Sequence, residues 1–483
     1  MNRLRVGFDR KNIDPPLGIA IRGYYKPRYA SGILSSLNVN AAAFATEEAA
    51  APKTKWNPDT GEYEAQAGAD AGSNEHIILI ISVDNCGLTT EECAEFRTFI
   101  TEKTGVPAGN ILIHSTHTHT GPFTLSTDKS HFTDFDKDAI DEYREFLKKR
   151  LADASAAAIK DLKPAKMGFI VGWAPERVAY IRRYKMKDGS TWTCPPINDP
   201  NIDHPIGTLD QRVNVLRFDR EGAESLAIMN YGLHADCLNL DEISADWPGY
   251  MTETFERAYP GARIMFLNGC EGDVGSTHVW PEGGDMNDTL ISFDNEMKSP
   301  GMARFVGRAL AGTVLQVYDK AEFVDVEDIK ALSETIEIPA NVPDPKDIPL
   351  ARKYKELHDA GRDAEIPYTA MELTTVVAEA TRMLKLENGP ESFPMTLMGI
   401  KLGPVALLGI PGEPFTDIGR QIKTAEGFKC ILPMCLSNGS EGYFPMKEAF
   451  DEGGYEARSS RFKGGVAERI IAGGKELIAK LKA

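Results

Sequence analysis

Ile111-Leu-Ile-His-Ser-Thr-His-Thr-His-Thr-Gly-Pro122 is the stretch on which the fold and chemistry of this chain turn. Ile111-Leu112-Ile113 is a short apolar run with the pattern of a buried strand, and it stops in imidazoles, small hydroxyl residues and a Gly-Pro turn. An α/β protein builds ligand sites where strands end at the edge of its sheet. Three of the nine histidines, His114, His117 and His119, fall within six residues here. Neutral imidazole is the commonest metal ligand and titrates in the range that suits acid–base work. Residues two apart on an extended chain share a face, so His117 and His119 are placed to approach one ion, or one ligates while the other faces the substrate. His114 has the opposite parity to His117 and points into the packed body.

Working outward, strands and helices alternate through most of the sequence, which is the α/β pattern. Strands are expected over Ile77–Val83, Asn110–His114, Lys166–Val171, Arg263–Leu267 and Cys430–Leu436. Hairpins are expected from Arg212–Asp219 with Ser225–Tyr231, and from Phe393–Leu402 with Val405–Ile410. Helices are expected over Thr89–Thr104, Asp136–Lys160, Pro248–Ala258, Met302–Tyr318, Pro349–His358, Thr369–Leu386, Asp417–Thr424 and Gly465–Leu481. Two segments read as insertions: Glu47–Asn74, whose Trp56-Asn-Pro-Asp-Thr-Gly-Glu core resembles a hairpin tip, and the charged Val342–Tyr368. Neither has linker composition and no internal repeat is present, so residues 1–483 are expected to form one domain.

Composition narrows the class. The 483 residues are 42% hydrophobic and 26% charged, ordinary for a soluble globular protein with a large core. A net charge of −17 argues against nucleic acid and anionic membrane surfaces as partners. Seven scattered cysteines, without CxxC spacing, argue against a disulfide framework. The start has no apolar signal segment and no stretch is long enough for a bilayer, so a cytoplasmic location without membrane insertion is expected.

Five motifs lie where strands are expected to end, each with Gly beside a functional side chain. They are His117-Thr-His119-Thr-Gly-Pro122, Asn230-Tyr-Gly-Leu-His234-Ala-Asp236, Asn268-Gly-Cys-Glu271-Gly-Asp273-Val-Gly275, Ile410-Pro-Gly-Glu413-Pro-Phe-Thr416 and Ser437-Asn-Gly-Ser-Glu-Gly-Tyr443. Gly permits tight turns and close backbone approach. Loops after parallel strands converge on one sheet edge, so these five can meet. His117, His234 and Glu413 are chosen as metal ligands, with Tyr443 as a fourth. Two imidazoles and a carboxylate form a hydrolytic zinc set that leaves room for water, whose pKa zinc lowers to about 7. His119 or a nearby carboxylate would then move protons. Asp84, Asp236 and Asp273 read as orienters of histidines. Asp246 reads either as the cap of the Pro248 helix or as a residue of the substrate site. Arg182-Arg183 reads either as an anion-binding pair or as a partner for surplus acid. No Gly-x-Ser-x-Gly elbow, Walker loop, Gly-x-Gly-x-x-Gly or His-Glu-x-x-His is present. The His-x-His pair alone would also allow a metal-dependent barrel hydrolase.

Together these motifs resemble the neutral/alkaline, non-lysosomal ceramidase superfamily. Ser115-Thr-His-Thr-His-Thr-Gly-Pro122 is similar to that family's first zinc-histidine signature, and Phe266-Leu-Asn-Gly-Cys-Glu-Gly-Asp273-Val to its Gly-Asp-Val segment. Pro411-Gly-Glu-Pro-Phe-Thr416 resembles its zinc-glutamate turn, Gly442-Tyr443 its zinc-tyrosine segment and Tyr455-Glu-Ala457 the run that follows. The resemblance extends from Gly23, in an Arg-Gly-Tyr segment, to Tyr455. It implies a large mixed β-sheet flanked by helices, with Zn2+ held by His117, His234, Glu413 and Tyr443. It also implies a substrate site lined by Gly23, His119, Arg182 and Tyr455. It departs in two places. The family follows Gly-Asp-Val with Ser-Pro-Asn and ties that Ser to catalysis, whereas Gly275 stands here, followed by Ser276-Thr277-His278. The length leaves no room for the family's C-terminal β-sandwich.

The expectation is therefore a zinc-dependent hydrolase that cleaves an amide or related acyl bond of a small polar substrate rather than ceramide. Glu271 and Asp273, beside the lost Ser, are candidates to take over proton transfer. Clustered acids with Trp247 and Trp280 also leave open a zinc-dependent glycoside hydrolase. A zinc-holding binding protein without catalysis is the third reading. The substrate, the physiological metal and the oligomeric state are not legible.

Overall fold

The computed structural model describes residues 4–25, 28–46, 54–57, 62–65, 74–125, 132–288, 290–291 and 297–482. A nine-stranded mixed sheet forms the centre. Its strands are β1 (Arg5–Asn12), β2 (Asn38–Ala45), β3 (Ile78–Val83), β4 (Ile111–Ser115), β5 (Lys163–Trp173), β6 (Arg212–Arg220), β7 (Ser225–Tyr231), β8 (Ala262–Asn268) and β9 (Glu322–Val324). The order is β8-β7-β6-β5-β1-β2-β3-β4, with β9 also on β5. A second, four-stranded sheet contains β10 (Ile329–Pro339), β11 (Ser392–Leu402), β12 (Val405–Gly409) and β13 (Cys430–Met434), in that order.

The alternation of apolar side chains along each strand builds the layers. In β2 and β3, Val39, Ala41, Ala43, Leu79, Ile81 and Val83 pack under helices α1 (Thr90–Thr104) and α2 (Asp134–Lys160). In β6 to β8, Val213, Val215, Met229, Ile264 and Phe266 pack under α3 (Asp246–Ala258) and α4 (Pro300–Tyr318). The opposite face, with Phe44, Ile80, Leu112, Phe218, Ile228 and Met265, meets Met398, Ile400, Leu407 and Leu432 of the small sheet. The small sheet's outer face carries α7 (Thr416–Ile422) and α10 (Val466–Lys482). Helices therefore flank the large sheet on one face only, and a second sheet covers the other.

Two parallel strand pairs in the large sheet, β3/β4 and β7/β8, end near the site. The pairing path between them makes the two pairs run in opposite senses, so a common strand direction does not gather their loops. β1 and β5 are joined by just two residue pairs, Arg5↔Pro164 and Val6↔Lys163, and the sheet is two arms meeting at this narrow joint. The far ends of the arms then touch. Ser82 Oγ donates to the Phe266 carbonyl at 2.7 Å, and the Asn268 amide donates to His114 Nε2 at 2.8 Å. The small sheet ties in at the same place, through Ser115 N to Leu436 O (3.1 Å), Asn438 N to Ile113 O (2.7 Å) and Cys435 N to Asn268 O (3.1 Å).

Of the two segments read as insertions, the first contains a two-stranded hairpin, Thr54–Asn57 against Glu62–Ala65; its tip, 58–61, lies outside the described residues. The second contains α5 (Ile348–Asp359), which packs on α6 (Ala370–Leu386) through Leu357, Ile366, Val376 and Val377. All seven cysteines are buried and free. Among the described residues no helix is long and apolar enough to cross a membrane.

Candidate metal centre

His117 is placed by backbone conformation rather than by strand parity. β4 ends at Ser115, and His117 has a φ of 73°, in the left-handed region. Its amide donates to Asn85 O, and its Nδ1–H donates to Cys86 O at 2.6 Å, which turns Nε2 towards Glu413. His234 follows β7. Its Nδ1 faces three acceptors: Glu271 Oε2 at 2.5 Å, and the Glu271 and Val274 carbonyls at 3.0 Å each. Its Nε2 faces Glu413 Oε2 and Arg182 Nη1. Glu413 follows β12 in a two-residue parallel bridge with Tyr443, its amide bonded to Gly442 O at 2.9 Å.

These three side chains converge. Glu413 Oε2 lies 3.4 Å from His117 Nε2 and 3.3 Å from His234 Nε2. Ligands at the 2.0–2.1 Å typical of zinc are separated by about 3.3 Å across a tetrahedron. The spacing is thus that of donors sharing one small ion. All three groups are buried, and Glu413 Oε2 has no hydrogen-bond partner. A buried carboxylate needs a positive counterpart. Burial opposes its charge, yet the two histidines hold Glu413 well below the usual carboxylate range, so it is an anion facing two imidazoles. His117, His234, Glu271 and Glu413 form a group that could hold a metal ion, with donor atoms within 4.8 Å of one another. Glu271 belongs to that group by distance, but its oxygen meets Nδ1, the side of the His234 ring away from Glu413. That contact makes it the group that orients His234.

The other residues singled out in the sequence divide into those at the centre and those behind it. Tyr443 stacks near His234 with ring centroids 6.4 Å apart, and burial together with the Glu413 charge pushes its phenol well above the usual range. His119 Nε2 is 3.2 Å from His117 Nε2, and its Nδ1 is 3.4 Å from Asp236 Oδ1. Burial and the two neighbouring imidazoles hold His119 neutral, well below the usual range. Gly23, at a φ of 127°, presses on His119, and a Cβ there would come within 2.8 Å of its Cα and Cβ and 2.9 Å of its Cγ. Arg182 NH1 is 3.2 Å from His234 Nε2, and its plane covers the Tyr443 ring at 5.3 Å. Tyr455 sits against Tyr443 and reaches Tyr25 with its hydroxyl at 3.4 Å.

Asp273 and Asp246 bind groups of the surrounding turns. Asp273 Oδ1 accepts from Thr416 N at 2.7 Å and Thr416 Oγ1 at 2.8 Å, which holds the start of α7 behind Glu413. Asp246 accepts from the amides of Cys237, Leu238 and Trp247, and fixes the loop after His234. His114 is buried, donates to Cys435 O at 2.9 Å and accepts from Asn268 N, so it joins the two sheets. Asp84 binds Asn38 N and Thr116 Oγ1 rather than a histidine.

Sequence reasoning missed two buried groups. Glu456, fully buried, takes Arg182 Nε at 2.7 Å and Thr193 Oγ1 at 2.6 Å; its place after Tyr455 was the available signal. Lys298, 3% exposed, pairs with Asp236 Oδ2 and the Tyr24 hydroxyl, each at 2.7 Å. No local pattern marks it.

Comparison with solved structures follows the same lines. A neutral ceramidase from Pseudomonas aeruginosa superposes with a TM-score of 0.66 at 15% identity, covering 100% of this chain and 74% of that one. The fold is that of the neutral ceramidases. A structure described as ceramidase complexed with C2 gives 0.65 at 15% identity, over 100% and 75% of the two chains. No protein-family model and no curated protein matches the sequence. On this ceramidase-like fold the metal-type cluster sits where both sheets end.

Proposed function

We propose that this chain is a zinc-dependent hydrolase that cleaves an amide or related acyl bond of a small polar substrate. The observation that carries the reading is the meeting of His117 Nε2, His234 Nε2 and an otherwise unpartnered Glu413 carboxylate at the spacing of a tetrahedral ion. The ceramidase-like fold supports it. His117, His234 and Glu413 would hold the zinc, with Tyr443 beside them. Bound there, zinc would polarise a substrate carbonyl and lower the pKa of water to about 7.

The chain's own groups divide the remaining work. Glu271 orients His234 through Nδ1. His119, neutral and next to His117, accepts a proton and returns it to the leaving nitrogen. Asp236 lies on the other side of the His119 ring and sets its tautomer, with Lys298 and Tyr24 holding the carboxylate in turn. Arg182, fixed by Glu456, presents a guanidinium to the carbonyl oxygen. Asp273 acts by holding the Glu413 turn rather than by proton transfer. Gly275 in place of the family's Ser, and the charged side chains beside it, favour a small polar substrate over a lipid.

The test has two parts. Elemental analysis of the purified protein and of Glu413→Ala should give about one zinc per chain and a large loss, respectively. The zinc-loaded protein should release amine from some member of a panel of N-acyl compounds with short acyl groups. A protein that takes up no divalent ion, or zinc content unchanged in Glu413→Ala, overturns the reading.

A further inference from the structure

Gly275 poses a physical question. A glycine in an ordered segment costs conformational entropy and is normally kept for a left-handed backbone or a close contact. Gly275 has neither: its φ is not in the left-handed region, and a Cβ there would meet Arg182 Cβ at 3.7 Å and Cδ at 3.8 Å, ordinary van der Waals distances. What the missing side chain leaves is space. Beside it lies a small, partly open cavity of about 20 Å³, bounded by Gly275, Arg182, Asp236 and Lys298 and also by Tyr184 and Val279. That volume holds a single water-sized group.

Part of the wall is charged and part is apolar. The Lys298 ammonium and the Asp236 carboxylate meet at 2.7 Å on one side, and Arg182 and His234 stand on the other. Ser276 adds a hydroxyl and is itself buried. A hydroxyl placed among these groups can give and receive hydrogen bonds, which a methyl group cannot. The cavity adjoins the His234 side of the metal-type cluster.

We propose that Gly275 is a specificity-determining residue, and that the cavity it opens beside Lys298 receives a hydroxyl carried next to the carbonyl of the substrate. The substrate class is then a short 2-hydroxyacyl compound, with no alkyl chain on that side. This rests on the metal-centre reading above and narrows it.

The test is calorimetric binding to the zinc-loaded protein of two hydroxamates of equal size, glycolohydroxamic acid and propionohydroxamic acid. They differ by a hydroxyl in place of a methyl. The wild-type protein should bind the glycolo compound about tenfold tighter or more, since sites built for a hydroxyl reject the analogue that lacks it. Gly275→Ser should bring that ratio towards one, while propionohydroxamate affinity changes less than about threefold, because the metal grip is intact. Gly275→Ala, whose Cβ has room, repeats the test if Gly275→Ser fails to fold. Equal affinities in the wild type, or a ratio indifferent to residue 275, overturns this proposal alone. Binding of neither compound overturns both this proposal and the metal centre.

Discussion

Replacing Glu271 by Gln removes a charge while keeping shape, and the surroundings set how much that costs. His234 has one Nδ1–H and three acceptors around it: the Glu271 carboxylate oxygen at 2.5 Å and two carbonyls at 3.0 Å. The amide oxygen of Gln can still accept, and the carbonyls still hold the ring, so His234 Nε2 should keep its direction. What is lost is the charge that makes the imidazole a stronger donor to a metal. Removal of such an orienting group typically lowers metal affinity 10–100-fold, about 1.4–2.7 kcal/mol. The two carbonyls place Glu271→Gln towards the tenfold end. Competition of the protein against a zinc-binding dye measures the change directly, and thermal unfolding without zinc shows whether the apo fold is unaltered. Zinc affinity within twofold of wild type, together with abolished turnover, would refute the reasoning. It would return Glu271 to proton transfer.

Other substitutions test separate parts of the structure. Burial pushes the His114 imidazole down to about 3 from an ordinary 6.5, so the unfolded chain binds the extra proton between those values. Stability from this group is complete above about pH 6.5 and is lost as pH falls towards 3; denaturant unfolding at pH 7 and pH 5 should differ by roughly 2 kcal/mol from this source. Leu407→Ala, in the core between the two sheets, should cost about 2–5 kcal/mol in denaturant unfolding. Thr89→Ala removes the capping box of α1, where Thr89 and Glu92 exchange bonds at 2.9 and 3.2 Å, and should cost about 1 kcal/mol. Gly23→Ala forces a Cβ into His119 at an unfavourable φ; turnover on whichever N-acyl substrate is found should fall at least tenfold, with zinc content unchanged by elemental analysis.

Much of the centre was legible because its chemistry needs unusual residue types beside glycine turns: His117, His234 and Glu413 stand out on those grounds alone. Strand parity does not bring His117 and His119 together, since the strand ends at Ser115 and His117 turns left-handed. Arg5–Asn12 is not legible as a strand because five of its eight residues, RVGFDRKN, are charged or polar; Arg10 is held in the sheet by pairing with Glu256 and Asn40. Asn38–Ala45 is so rich in alanine that neither period shows. The stacking of the second sheet was also hidden. Hairpin pattern shows that Phe393–Leu402 and Val405–Ile410 pair, but which face they cover depends on contacts with residues hundreds of positions away. Lys298 and Glu456 are single charges whose partners come from distant segments, and no local spacing announces such a pair.

The centre draws His117 and His234 from loops of the large sheet, and Glu413 and Tyr443 from loops of the small one. A cation there would act as a further rivet between two layers that already meet through apolar side chains and through the bonds of Ser115, Asn438 and His114. At a thousandfold excess over its dissociation constant, a ligand adds about 4 kcal/mol against unfolding. Amide protons in the four loops should therefore slow their exchange in concert when zinc is supplied, across both layers at once. A drift in the angle between the layers would register as weaker zinc retention before any loss of melting temperature.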